Sequence, residues 1–482
     1  MNKYKTLVSN AALISAGTFG SKLLVFLMVR FYTSYLTPAD YGVSDLITQT
    51  ANLLIPLVSL GITDGVFRFA IDRKGARASV FTAGFCTISA GCLLFAGTIP
   101  LLRRIPAVRE YVWLVAAFVA ASCYHALCAQ FIRASGNTAL FAGQGLLNTA
   151  LVIGLNILFL AVFHMGIAGY VLSVAAANCI CTIFLIGKET LWRQLVLRPR
   201  RGIAWEMLRY SIPLIPTSVF WWITSVSDRY MVSAFLGSEA NGIYSVAYKI
   251  PTILTILSTV FMEAWQLSAV TESHGSRREH IHFYSKVWSA FQPVMFLCGA
   301  GVIALSRPAI RLLANESYYS AWRCIPLLAT AMVFASFSNF MGSVYVVTRK
   351  SALSFWTSMV GAGANVALNL LLIPSALGIQ GAAAATLLSY VIVFSIRTVS
   401  ARKLIAFRLY TRGVVAGAGI LTVQTVFMVF ELPMWGLVQV LGIALTALFS
   451  IRPVLAGAAK LGIVKGNGRG RPPRAGKGEY ND

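Results

Sequence analysis

A handful of charged side chains in this chain stand where charge is expensive. Lys22 sits in SKLLVFLMVRF with apolar residues on both sides, and Arg30 follows eight residues on. Asp228 and Arg229 follow the apolar run PTSVFWWITSVS, and Lys249 lies in AYKIP just before Pro251. An ionisable group at membrane depth marks a functional place by default. At ~3.6 residues per turn Lys22 and Arg30 lie about 80° apart on a helix, so both can face one cavity. The cations outweigh Asp228, and in low dielectric a cationic cavity favours an anionic solute. A phosphate or pyrophosphate group has the fitting sign. Arg30 and Arg229 lie near predicted span ends, where snorkelling to an interface is the alternative. Asp228 has the alternative role of neutralising Arg229.

The elements that must position these groups are membrane-spanning helices. The chain has 482 residues, 57% of them hydrophobic and 12% charged. A soluble domain carries about 25% charged residues, so lipid must be the solvent for much of this one. Spans of about 20 apolar residues are predicted over 8–31, 44–67, 79–102, 111–132, 140–163, 167–187, 208–235, 243–267, 284–306, 321–347, 352–374, 379–400, 413–430 and 434–457. Proline falls inside several, at Pro56, Pro213, Pro216, Pro251, Pro293 and Pro326. Kinked helices around a wet cavity tolerate it. The net charge of +24 is carried mostly by alternate loops. Arg73 and Lys74, Arg198 to Arg201, Arg349 and Lys350, and Arg402 to Arg412 fall in the even gaps. Most odd gaps are bare, with exceptions at Arg103, Arg104 and Arg109 and at Arg307 and Arg311. That alternation places both termini in the cytoplasm. The basic charge therefore belongs to membrane topology, and nucleic acid is not expected as a partner.

The chain resembles itself at an offset of 200. Thr33-Ser34-Tyr35-Leu36 before Gly42 corresponds to Ser233-Ala234-Phe235-Leu236 before Gly242. Six spans separate the copies, an even number, so the copies share one orientation, a standard transporter plan with the substrate between halves. The expected fold is an all-α integral membrane protein of about fourteen helices. Two six-helix lobes, 1–200 and 201–405, flank a central cavity, two more helices occupy 406–460, and a basic disordered tail fills 461–482. At the repeat offset Lys249 falls on Gln49, so both copies place a polar residue there.

Catalytic chemistry is not signalled. The sequence has no Walker A motif, no visible nucleophile–base pair and no gap large enough for a soluble catalytic domain. His274, His280 and His282 share a loop with Arg277 and Arg278 and read as solvated. The eight cysteines form no CxxC pair and read as small packing residues. No catalytic residue, metal site or cofactor is predicted.

The segments LTPADYGVSDL, SLGITDGVFRFA, LRYSIPLIPTSVFWWITSVSDRYMVSAFLGSEANGIYSVAYKIP and NVALNLLLIPSALGIQGAAAATLLSY stand in this order along the chain. Together they resemble the polysaccharide-biosynthesis flippase family of the multidrug/oligosaccharidyl-lipid/polysaccharide exporter superfamily, over roughly residues 1–460. The resemblance implies movement of an undecaprenyl-pyrophosphate-linked oligosaccharide across the cytoplasmic membrane, with basic cavity residues holding the pyrophosphate. Lys22, Asp228, Arg229 and Lys249 match charged positions of such motifs. Arg68 in GVFRF matches as well, either as an entry contact or as a topology determinant. Glycosyltransferases and a polymerase of the same pathway are the implied partners, besides membrane lipid. A cation-coupled multidrug exporter, a peptidoglycan lipid-precursor flippase, a membrane glycosyltransferase and a scaffold remain as alternatives.

Overall fold

The computed structural model describes residues 20, 24, 26–103, 109–196, 202–271, 277–348 and 350–460. Lys22 and the tail 461–482 lie outside the described residues. The helices are α1 (Val29–Tyr35), α2 (Pro38–Val58), α3 (Ile62–Asp72), α4 (Arg77–Leu102), α5 (Val112–Ser135), α6 (Thr138–Asn156), α7 (Gly166–Lys188), α8 (Ile203–Ser211) and α9 (Ile215–Leu236). They continue with α10 (Ser238–Lys249), α11 (Thr252–Thr271), α12 (Arg277–Ala304), α13 (Ser306–Leu313), α14 (Ile325–Val347), α15 (Ser351–Leu372), α16 (Ile379–Leu404), α17 (Thr411–Val429) and α18 (Trp435–Lys460).

The protein is all-α and crosses the membrane many times. Among the described residues nine helices are long and apolar enough to span, or ten if α2 and α3, bent by 50°, form one span. The predicted spans 8–31, 208–235, 243–267 and 434–457 are not in that set. The first lies largely outside the described residues, the next two each hold a break ahead of α9 and α11, and in the fourth the stretch Trp435–Leu448 counts as a shorter apolar helix. Residues 212–214 form a short 3-10 turn between α8 and α9, and Ile250-Pro251 separates α10 from α11. Both breaks contain proline, which removes a backbone donor. The α2/α3 bend does not fall at Pro56 itself. It comes at Leu60 and Gly61, with φ of 50° and 62°, where the Gly61 N–H still reaches the Pro56 carbonyl at 3.0 Å.

Three apolar cores organise the bundle. One joins Ile47, Val66, Val119, Leu127, Val171 and Met207, and so binds α2, α3, α5 and α7 to α8. A second stacks Trp288, Phe291, Phe337, Phe340, Phe394 and Phe407 between α12, α14 and α16. The third gathers Tyr32, Tyr41, Leu160, Tyr244, Tyr318 and Trp322, at the end that carries Gly237. It brings α1, α2 and α10 against the segment 316–323, where the Tyr318 hydroxyl donates to the Leu36 carbonyl at 2.9 Å.

Candidate functional site

The site is built where α2 crosses α10, at positions related by the sequence offset of 200. Thr37 caps α2 by accepting from the Asp40 N–H at 3.2 Å, and Pro38 occupies the first turn. A Thr cap with Pro just inside is a strong helix start. On the other side of the crossing α10 begins after Gly237, whose φ of 91° turns the chain back from α9. The two helices then cross in backbone contact. A Cβ on Gly42 would collide with the Ser238 carbonyl oxygen, and one on Gly242 with the Pro38 carbonyl oxygen. Pro38 and Ser238 are repeat equivalents, as are Gly42 and Gly242, so the contact is reciprocal. The Asn241 side-chain amide donates to the Gly42 carbonyl at 2.9 Å. Only glycine permits this approach.

One turn further along lies a buried ionic cluster. Arg229 of α9 donates through Nη1 to both Asp45 oxygens, at 2.7 and 2.9 Å. Ser245 Oγ donates to Asp45 Oδ2 at 2.9 Å, and Asp45 and Ser245 are again repeat equivalents. Arg229 also stands 5.0 Å over the Tyr248 ring. Asp228 is satisfied separately. It accepts from the Tyr244 hydroxyl at 2.5 Å, from its neighbour's N–H at 2.9 Å and from Thr386 Oγ1 at 3.4 Å. Asp45, Asp228 and Arg229 are 6%, 3% and 6% exposed. An ion pair this deep is costly to desolvate, so removing one partner leaves an uncompensated charge.

Below the crossing the walls stay polar. Asp45, Gln49 and Asn52 follow at helical spacing along one stripe of α2, and exposure increases down it, from buried through half-buried to exposed. Gln49 Nε2 reaches Asp45 Oδ1 at 3.4 Å, and its carbonyl accepts from Trp222 Nε1 at 2.9 Å. Lys249 occupies the matching place on α10 and is half-buried. Asp45 and Arg229 are the charges acting on it, and among the described residues no carboxylate pairs with its ammonium.

The structure thus brings together Gln49, Asp228, Arg229 and Lys249, and leaves two expected residues elsewhere. Arg30 is exposed and donates to the carbonyls of Arg311 and Ala314, at the C-terminal end of α13. It caps that helix, where a cation is favoured by the dipole. Arg68 lies at the opposite end of the bundle, 4.8 Å over the Tyr210 ring and 3.9 Å from Asp72. There α3 packs on α8, and Arg73 pairs with Glu206 at 2.6 Å. Asp45 is a central residue that sequence reasoning passes over. A span drawn from Ser44 puts it at an interface, whereas the helix begins at Pro38 and carries it two turns deep. The Thr37-Pro38-Ala39-Asp40 start was the available signal. Arg397 was passed over too. It is 7% exposed inside α16 and donates to Thr357, Ser358 and the Ser338 carbonyl at 2.8–3.0 Å.

The sequence model of the family described as polysaccharide biosynthesis protein matches residues 7–265, more than half of the chain. The chain belongs to this family. An uncharacterised membrane protein of Methanocaldococcus jannaschii is 26% identical over 255 residues, which is 50% of this chain and 59% of that protein. The match therefore spans less than two thirds of that relative's length. Among solved structures, the lipid II flippase MurJ in an inward closed conformation has a TM-score of 0.69 at 13% identity, over 93% of this chain and 99% of that one. An inward-facing multidrug resistance MATE family transporter of the MOP superfamily gives 0.67 at 13% identity, over 80% and 94%. An outward-facing one gives 0.58 at 16%, over 82% and 95%. These likenesses establish a shared fold.

Proposed function

We propose that this polysaccharide biosynthesis protein is a flippase that carries an undecaprenyl-pyrophosphate-linked oligosaccharide from the inner to the outer leaflet by alternating access. Its architecture in this reading is fourteen spans, with lobes 1–200 and 201–405 rocking about the repeat axis, helices 406–460 beside them and both termini cytoplasmic. The observation that carries it is the Asp45–Arg229 pair, buried between repeat equivalents at one end of the bundle, with Lys249 beneath it. The positive-inside pattern makes that end the outer one. The better match to inward than to outward structures supports an outer gate that is shut.

The gate and the binding site then share a residue. An incoming pyrophosphate is drawn first by Lys249, and by Lys22 on the first span. It offers Arg229 a bidentate partner of the same geometry as the Asp45 carboxylate. Exchange of partners costs little while the anion is present and much when it is absent. Substrate entry therefore loosens the latch across the Gly42–Gly242 crossing, and the lobes part outward. The sugar occupies the wet space lined by Gln49 and Asn52, and the prenyl tail stays in lipid. The drug-exporter alternative needs free carboxylates for cations, and the two buried acids among the described residues, Asp45 and Asp228, are already engaged. No step requires catalysis or a cofactor.

The test is reconstitution with defined prenyl-pyrophosphate glycans and a leaflet-specific probe. Wild type moves them; Lys249→Ala, Lys22→Ala and Arg229→Ala insert normally and do not. Undiminished movement by Lys22→Ala/Lys249→Ala, or movement of organic cations in place of the glycan lipid, would sink this reading.

A further inference from the structure

Away from the repeat junction, a charged pocket opens beside the start of α12. It has a volume of about 580 Å³ and is walled by Arg278, His282, Lys286 and Arg408, with Tyr410 at its inner edge. Arg278, His282, Lys286 and Arg408 are all exposed, and among the described residues that line the pocket none is a carboxylate. Its floor is held in place. The strap 405–410 between α16 and α17 is tied to α12 by the Arg408 N–H donating to Ser285 Oγ at 2.8 Å. Trp288 Nε1 donates to the Leu409 carbonyl at 2.7 Å, and Phe407 is fully buried beneath.

Ser289 and Tyr410 line this pocket and also a second one, of about 250 Å³, whose walls are Pro293, Phe296, Gly417 and Thr446. The charged mouth therefore continues into an apolar slot between α12, α17 and α18. From His282 to Phe296 the two run about 21 Å along α12, at ~1.5 Å per residue. Half of a bilayer with its headgroup region is about as deep. A soluble anion would use the mouth and leave the slot empty, and an uncharged lipid would not need the mouth.

We infer that this groove binds an anionic phospholipid of the leaflet facing Arg278, its phosphate among Arg278, Lys286 and Arg408 and part of one acyl chain in the slot. Clustered Lys and Arg beside a span attract anionic headgroups, and here the cluster opens onto an apolar channel of matching depth. None of these residues belongs to the proposed transport site, so the inference stands independently of it. A bound lipid would bridge α12 to α17 and α18 and fix the last two helices to the bundle.

Full-length protein in phosphatidylcholine nanodiscs doped with phosphatidylglycerol tests this, by counting retained lipids with native mass spectrometry. Wild type should keep phosphatidylglycerol in preference to phosphatidylcholine. Arg278→Gln/Arg408→Gln should weaken that retention roughly tenfold, and Ser289→Trp, which plugs the slot, should lower it while leaving every charge in place. Lys188→Gln/Arg193→Gln, an equal loss of charge on another exposed face, should leave it unchanged. Equal loss in both double variants would show diffuse surface charge and overturn the site. So would full retention by Ser289→Trp, or complete release of the lipid by inorganic pyrophosphate, which would mark a site for soluble anions.

Discussion

Asp45 and Arg229, 184 positions apart, share one buried contact in which a single guanidinium nitrogen reaches both carboxylate oxygens at 2.7 and 2.9 Å. The arginine lies on α9 and the carboxylate on α2. Breaking a buried pair by removing one partner costs about 3–5 kcal/mol. Asp45→Ala and Arg229→Ala are each expected to lose about that much, and Asp45→Leu/Arg229→Met to recover most of it. Thermal unfolding of the purified protein in detergent measures the stability. All three variants should fail to transport, so stability and function separate in the double variant.

Gly42 sets how closely α2 and α10 approach. Gly42→Ala places a methyl group on the Ser238 carbonyl and should hold the crossing open. Ser245, fully buried in wild type, reports on it. In a background without native cysteines, Ser245→Cys should resist an impermeant thiol reagent, and Gly42→Ala/Ser245→Cys should be labelled from the outer side. Equal protection in both would mean that the helices adjust without opening.

Lys249 has no carboxylate partner among the described residues and should matter for transport more than for folding. Lys249→Ala is expected to change stability by about 1 kcal/mol or less while abolishing flux. Lys249→Arg should keep a measurable share of it. A Lys249→Ala variant rescued by Gln49→Lys would show that either copy can supply the cation, and flux assays on the paired variants read this directly.

Arg307 ties the last helices to the body of the protein. Its guanidinium lies 4.0 Å over Trp322 and 4.4 Å over Trp435, and pairs with Glu431 at 2.6 Å. A cation–π contact gives about 0.5–2 kcal/mol and a half-exposed ion pair about 0–1. Arg307→Ala should therefore cost about 1–4 kcal/mol, seen as a lower Tm and as earlier proteolysis between α17 and α18.

Hydropathy depends on local composition, so the all-α, many-span class could be read from residue order. The pairing of Gly42 with Gly242 shows how far that reaches. Their equivalence is visible at the offset of 200, but their contact is not, because it depends on two helices crossing at backbone distance. The same holds for charge. Sequence shows Arg30, Arg229 and Lys249 as cations beside apolar runs, without showing what neutralises each. Tertiary structure gives Arg229 to Asp45 and Arg30 to the end of α13, and leaves Lys249 half-buried with no carboxylate partner among the described residues. A charge in low dielectric is defined by its partner, and partners almost two hundred residues away are chosen by packing.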